Sequence, residues 1–437
     1  MKIKISNVKT VFWSDEEELQ TEQCNIFTND DIIEKIQRLD ENGKPVGEDA
    51  AFVPQGDYYE ISGKNRLAMP GLINAHTHAY MTIFRNVADD VPFSTWLFDT
   101  ILPMEDRMTP EDAYFGSLLG NIEMIRTGTT AYLDMNLNVY KCAEAAKKSG
   151  MRAVLSRGLV GEEADDEGGH RRLNEALSEW KDLEDGDMTS FVLAPHAPYS
   201  CGPGWLKYVA EVAKEKGIGI HTHLAEGLDE INGIKEKYGM TPIEYADNAG
   251  IFDVHCVAAH CVHLTDNDFD ILRTKNVHVA TNPISNMKLA NGFANVPEML
   301  KRGINVGIGT DGAASNNALN LIREMSVEAL IHKGLTHDAE LVSAKDVFKM
   351  ATLNGAKVLG RNNIGNLKDG MKADIVLLDT FNPAFYPIKN PVSALCYSCS
   401  GSEVDTVIVN GKILMEKREL KTLDEENIYY EVQKRFG

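Results

Sequence analysis

The stretch Ala68-Met-Pro-Gly-Leu-Ile-Asn-Ala75 runs directly into His76-Thr-His78, an apolar segment of strand length ending on two imidazoles. In an extended strand alternate residues project from one face, so His76 and His78 can reach a single ion together. An isolated His-x-His pair is as readily two hydrogen-bonded surface histidines. Its position at a strand end, among other such ends, gives it weight.

Downstream the same texture repeats. Apolar runs near Thr130 to Met135, Arg152 to Leu159, Phe191 to His196, Gly219 to His223, Cys256 to His260, His278 to Asn282 and Asn305 to Asp311 are each followed by loop or helix signals. Eight strand-and-crossover units predict an α/β fold, a (β/α)8 TIM-type barrel over residues 67–362. One crossover helix is fully marked, with Thr109 as N-cap, Pro110 at the first helical position, Glu111 and Asp112 in the first turn and Gly128 as the stop. Residues 1–66 and 363–437 carry short strands and polar turns instead, Asn410-Gly411 being a hairpin signal. Neither flank can bury an apolar face alone, so both chain termini are expected to build one small β-sandwich module.

The polar residues collect on one side of this arrangement. His76, His78, Asp134, Arg157, His196, His223, His260, Asn282 and Asp311 all fall at or just past the C-terminal end of a strand, the active-site face of such a barrel. In His221-Thr-His-Leu-Ala-Glu226, His223 is the expected ligand and His221 a packing or supporting residue. Glu226 then stands near the ion without needing to bind it, which suits a general acid; alone it would read as a solvated loop glutamate. Asp311, with Gly309 and Gly312 close by, can ligate the ion and accept a proton from water. His260 reads as an unligated imidazole that steers this water, and His255, His263 and His278 read as structural. The expected metal ligands are His76, His78, His223 and Asp311, and the expected catalytic groups are Glu226, His260 and Asp311. Metal-assisted hydrolysis is the chemistry such a set permits.

The strings Pro70-Gly-Leu-Ile-Asn-Ala-His-Thr-His78, His223-Leu-Ala-Glu226, Ala259-His-Cys-Val-His-Leu264, Asn282-Pro-Ile-Ser-Asn286 and Gly309-Thr-Asp-Gly-Ala-Ala-Ser-Asn-Asn317 resemble the amidohydrolase superfamily. Within it they are most similar to the 5-methylthioadenosine/S-adenosylhomocysteine deaminases. The resemblance covers about residues 66 to 360 and the flanks only in outline. It implies one divalent ion per subunit, zinc or iron(II), with no carboxylated-lysine bridge, and a homo-oligomer. The implied reaction replaces the 6-amino group of an adenine nucleoside with oxygen and releases ammonia, the substrate being 5′-methylthioadenosine, S-adenosylhomocysteine or adenosine. It also implies a nucleoside pocket in which Glu105 holds the ribose hydroxyls and Arg157 and His196 complete the walls. Glu105 lies on a loop of roughly 30 residues between His78 and Thr109, a length that independently favours a lid or binding element. Trp96 on the same loop is a candidate wall for the purine and equally a loop-anchoring core residue.

Composition narrows the partners. The chain has 437 residues, 43% hydrophobic and 25% charged, and 44 basic against 65 acidic side chains give a net charge of −21. Such a balance repels phosphate backbones and anionic bilayers, so a small molecule is expected in place of nucleic acid or membrane. Seven scattered cysteines do not make a disulfide framework, and Cys396-Tyr-Ser-Cys399 has no second pair to complete a zinc ribbon. With no signal-peptide pattern at the N-terminus, a cytoplasmic setting is expected. Two rival functions are deamination or hydrolysis of another aminated heterocycle, such as guanine, a pterin or a triazine, and a non-catalytic barrel scaffold. Glu105 argues against the first, since a free base has no diol, and intact Glu226, His260 and Asp311 argue against the second.

Overall fold

The computed structural model describes residues 1–437. Gly71 divides the opening stretch. Arg66–Pro70 pairs antiparallel with Ile375–Asp379 in a nine-stranded sheet, whereas Leu72–His78 pairs parallel with Thr129–Asn136 in another. A Cβ at Gly71 would lie 2.0 Å from Thr130 Oγ1, so only glycine lets the chain change sheets there. The single strand read over Ala68 to Ala75 is therefore two.

Ala194–Pro195, Arg152–Leu159, Thr129–Asn136, Leu72–His78 and Asp311–Gly312 lie side by side in that order, all parallel. Ile220–Leu224, Cys256–His260, His278–Thr281 and Val306–Ile308 form a second parallel sheet. The two adjoin at both edges: Leu193 bridges Ile220, and Thr310 N donates to His76 O at 3.0 Å. Every residue of Leu72–His78, Thr129–Asn136, Ile220–Leu224 and Cys256–His260 is buried, as befits parallel strands covered on both faces. The expected Phe191 to His196 strand is two short pieces, Thr189–Phe191 and Ala194–Pro195.

The helix Pro110–Arg126 starts as its sequence indicates. Thr109 Oγ1 accepts from Asp112 N while Thr109 N donates to Asp112 Oδ2, a reciprocal capping box, and Gly128 just beyond the end adopts φ +87°. In the nine-stranded sheet, Arg66–Pro70 joins the C-terminal strands Ile375–Asp379, Val404–Val409 and Lys412–Glu416 to the N-terminal strands Ile3–Trp13, Leu19–Asn29 and Ile32–Arg38. This sheet has its own apolar cluster of 12 residues, including Ile3, Ile26, Ile375 and Ile408. No helix is long and apolar enough to cross a membrane.

Candidate metal centre and substrate cavity

The ends of the parallel strands bring four expected donors to one point. His76 Nε2 lies 3.4 Å and His78 Nε2 3.3 Å from Asp311 Oδ1, and His223 Nε2 lies 3.3 Å from His78 Nε2. All four residues are buried. Each ring is held through its other nitrogen. His78 Nδ1 donates to Met135 O at 2.7 Å and His223 Nδ1 to His196 O at 2.8 Å. A carbonyl can only accept, so each Nδ1 carries a proton, and in the neutral ring the lone pair falls on Nε2, which turns toward the other Nε2. His76 Nδ1 meets His221 Nε2 at 2.8 Å, and His76 Nε2 is buried with no hydrogen-bond partner.

Neutral nitrogens facing each other and a carboxylate are unstable without a cation between them. Ligands at about 2.0–2.1 Å around a tetrahedral ion stand about 3.4 Å apart, so these separations fit a zinc-sized ion. Protonation states agree. Burial pushes His76 down to about 4 and His223 well below the usual histidine range, leaving the neutral form that ligates. Burial alone would raise Asp311, but its contact with His76 and the nearby His78 and His260 hold its carboxyl well below the usual range. Ser285 and Ser315 hydroxyls donate to Asp311 Oδ2 at 2.6 and 2.8 Å, leaving Oδ1 toward the imidazoles.

Two further expected groups stand beside this cluster. His260 Nε2 is 3.9 Å from Glu226 Oε2, and His260 Nδ1 donates to Asn286 Oδ1 at 2.7 Å. His260 also groups with His76 and His223 as a potential donor, so distance alone does not separate it from the ligands. Glu226 Oε1 accepts from Asn291 Nδ2 at 3.1 Å, and burial pushes its carboxyl up. Its backbone is clamped: buried Glu230 accepts from Ala225 N at 3.0 Å and from Glu226 N at 2.8 Å. Four residues here adopt left-handed backbone without being glycine, Ala225 (φ 53°), His260 (75°), Cys261 (48°) and Asp311 (58°). Such strain concentrates where side chains must be aimed.

The family follows from the sequence as a whole. The amidohydrolase family model matches residues 67–414. The chain belongs to the amidohydrolase family. Among curated relatives, a 5-methylthioadenosine/S-adenosylhomocysteine deaminase of Caldanaerobacter subterraneus subsp. tengcongensis is 46% identical, over 100% of this chain and 98% of the relative. One of Dictyoglomus thermophilum is 48% identical, over 95% and 97%. Among solved structures, an adenosine deaminase from Xanthomonas campestris with bound zinc superposes with a TM-score of 0.91 at 28% identity, covering 99% of this chain and 97% of the other.

In this amidohydrolase a cavity of about 420 Å³ opens over the cluster, bordered by His78, His223, Glu226, His260 and Asp311. His76 lies beneath it, fully buried. The same cavity is bordered by Glu105, Arg157, His196 and Trp96, so every expected site residue converges on one place. Arg157 pairs with Glu175 at 2.9 Å, and His196 Nδ1 meets Ser200 Oγ at 2.9 Å. Trp96 borders the cavity, and its indole N–H anchors the loop on Ala314 O at 3.1 Å, as the loop-anchoring reading expects. The loop between His78 and Thr109 folds into short helical turns, Ala79–Phe84, Thr95–Ile101 and Leu102–Glu105. Sequence reasoning gave no role to Tyr80, Glu230, Asn291, Ser285 or Ser315. Ser285 and Ser315 lie inside two of the quoted strings, where a partner for Asp311 could have been sought; the others carry no local signal.

Proposed function

We propose that this amidohydrolase is a hydrolytic deaminase of adenine nucleosides, acting on 5′-methylthioadenosine and S-adenosylhomocysteine, with adenosine in its range. The observation that carries the reading is the shared cavity: clustered imidazole and carboxylate donors, a buried glutamic acid, and the loop residues Glu105 and Trp96 all border one space. The two deaminase relatives, matched almost end to end, support the substrate class.

His76, His78, His223 and Asp311 would hold one divalent ion per subunit, with zinc favoured over iron(II) by the donor set and by the zinc-bound structural neighbour. When bound, the ion supplies Lewis-acid chemistry and brings the pKa of water down to about 7. Asp311 takes one proton from the attacking water as its oxygen bonds to C6. Glu226, whose carboxyl burial pushes up, gives its proton to N1 in the same step. Asp311 then passes its proton to the amino group, the C6–N bond breaks and ammonia leaves. The hydroxyl proton at C6 returns to Glu226 as the 6-oxo group forms. His260, fixed by Asn286, orients the water. Glu105 holds the ribose hydroxyls, Arg157 and His196 close the nucleoside pocket, and Trp96 covers the purine.

The two parallel sheets, adjoining at both edges, read as one (β/α)8 barrel over residues 67–362. Residues 1–66 and 363–437 read as a sandwich module folded on the 12-residue cluster, with Arg66–Pro70 lending its strand to the module before Gly71. Seven unpaired cysteines suit a reducing, cytoplasmic setting.

The test is the absorbance change from adenine to hypoxanthine chromophore, with ammonia measured in parallel, on metal-loaded protein. Turnover of 5′-methylthioadenosine, S-adenosylhomocysteine or adenosine well above that of guanine, a pterin or a triazine is expected. Preference for one of the latter would replace the proposed substrate, and no ammonia from any of them would make the protein a scaffold.

A further inference from the structure

Tyr80 joins two parts of the cavity wall that stand at opposite ends of one loop. It sits in the turn Ala79–Phe84, only 2% exposed, directly after the His76-Thr-His78 strand. Its backbone is fixed against the Pro110–Arg126 helix, where a Cβ at Gly116 would lie 2.3 Å from Tyr80 O. Glu105 comes from the far end of the same loop, in Leu102–Glu105. The Tyr80 hydroxyl donates to Glu105 Oε1, and both side chains border the cavity.

This bond ties the far end of the loop to the turn that directly follows the His76-Thr-His78 strand. It occupies one carboxylate oxygen of Glu105 and leaves the other, together with the lone pairs of Tyr80 Oη, for a ligand. Two adjacent acceptors in a partly dry cavity match a pair of neighbouring hydroxyl donors. We propose that Tyr80 and Glu105 act as one recognition unit for the vicinal diol of ribose, with Tyr80 the residue that sets ribonucleoside selectivity. The proposal rests on the deaminase reading above. It adds a residue that positions Glu105 and itself accepts from one of the two sugar hydroxyls.

The experiment compares adenosine with 2′,3′-dideoxyadenosine on the metal-loaded wild type, Tyr80→Phe, Glu105→Gln and the double variant. Tyr80→Phe keeps the ring and removes only the oxygen. Losing a hydrogen bond between a phenol oxygen and a neutral sugar hydroxyl predicts a roughly threefold to tenfold rise in KM for adenosine. The KM for the dideoxy substrate and kcat for both should stay within about twofold, since the dideoxy sugar makes no bond there to lose. The double variant should lose no more on adenosine than the worse single variant, as expected of groups acting together. A Tyr80→Phe defect equal on both substrates, a fall in kcat alone, or additive losses in the double variant would overturn the proposal while leaving the deaminase reading intact. A wild type inactive on both nucleosides would overturn both. If Tyr80→Phe does not fold, Glu105→Gln decides: equal losses on the two substrates refute diol recognition.

Discussion

In the proposed reaction Glu226 moves a proton and does not grip an ion. Its Oε1 is engaged by Asn291, burial keeps its carboxyl protonated to higher pH than usual, and the nearest imidazole nitrogen is 3.9 Å away. Glu226→Gln should therefore keep its full complement of metal and lose turnover by about 10²–10⁴-fold. Metal analysis beside ammonia release checks this, and loss of the ion would make Glu226 a ligand. His221 makes the opposite case, since it touches no substrate yet fixes the ring of His76 through a 2.8 Å contact. His221→Leu should weaken metal affinity about 10–100-fold with all ligands present, read by competition with a chromophoric chelator. Unchanged affinity would show that packing alone orients His76. At this scale the donors were legible because His, Asp and Glu announce their chemistry at strand ends. Their aim was not: the left-handed backbone of His260 and Asp311 and the serines behind Asp311 depend on contacts between segments far apart in sequence.

Elements declared themselves where local rules suffice. Thr109, Pro110 and Asp112 set a helix start that depends on neighbours alone, and the structure has the same cap. The helix Leu321–Thr336 shows where such rules stop. Glu324, Glu328 and His332 recur at helical spacing, a pattern that ordinarily marks a solvated face, yet all three are buried. Glu324 accepts from Asn316 Nδ2 at 2.6 Å and from Ile284 N at 3.2 Å, joining the segments that carry Ser315 and Ser285. Burial pushes its carboxyl from an ordinary 4.5 up to about 8. Between those values the unfolded chain has lost this proton and the folded protein still holds it. This group's contribution to stability is therefore complete below 4.5 and falls as pH rises toward 8. Glu324→Gln mimics the protonated acid and has nothing to titrate. The Tm of Glu324→Gln minus that of the wild type should grow steadily from about pH 4.5 to 8 and stay flat below. A difference independent of pH would mean that Glu324 is ionised in the folded protein.

Across the whole molecule, the recurrence of buried strands could be read from periodicity, but the weave between sheets could not, because pairing partners lie hundreds of residues apart. Gly71 is where that weave becomes visible, and Arg152 is where it is held. Arg152 stands at the start of a parallel strand, fully buried, yet its guanidinium reaches Asp374 beside the nine-stranded sheet at 3.2 Å and Asp187 at 2.9 Å. Asp374 is 3% exposed and also accepts from Asn410 N at 2.7 Å, so its carboxylate is committed on both sides. Removing the cation leaves a buried anion with backbone support only. Arg152→Met should cost about 3–5 kcal/mol, seen as a lowered Tm and denaturation midpoint. The penalty comes from the stranded charge more than from the lost attraction. Adding Asp374→Asn, which keeps an acceptor for Asn410 N and carries no charge, should then recover most of the loss. If the double variant is instead as unstable as Arg152→Met, the guanidinium holds the two sheets together by its packing and its bonds to Asp187, and charge compensation at Asp374 is secondary.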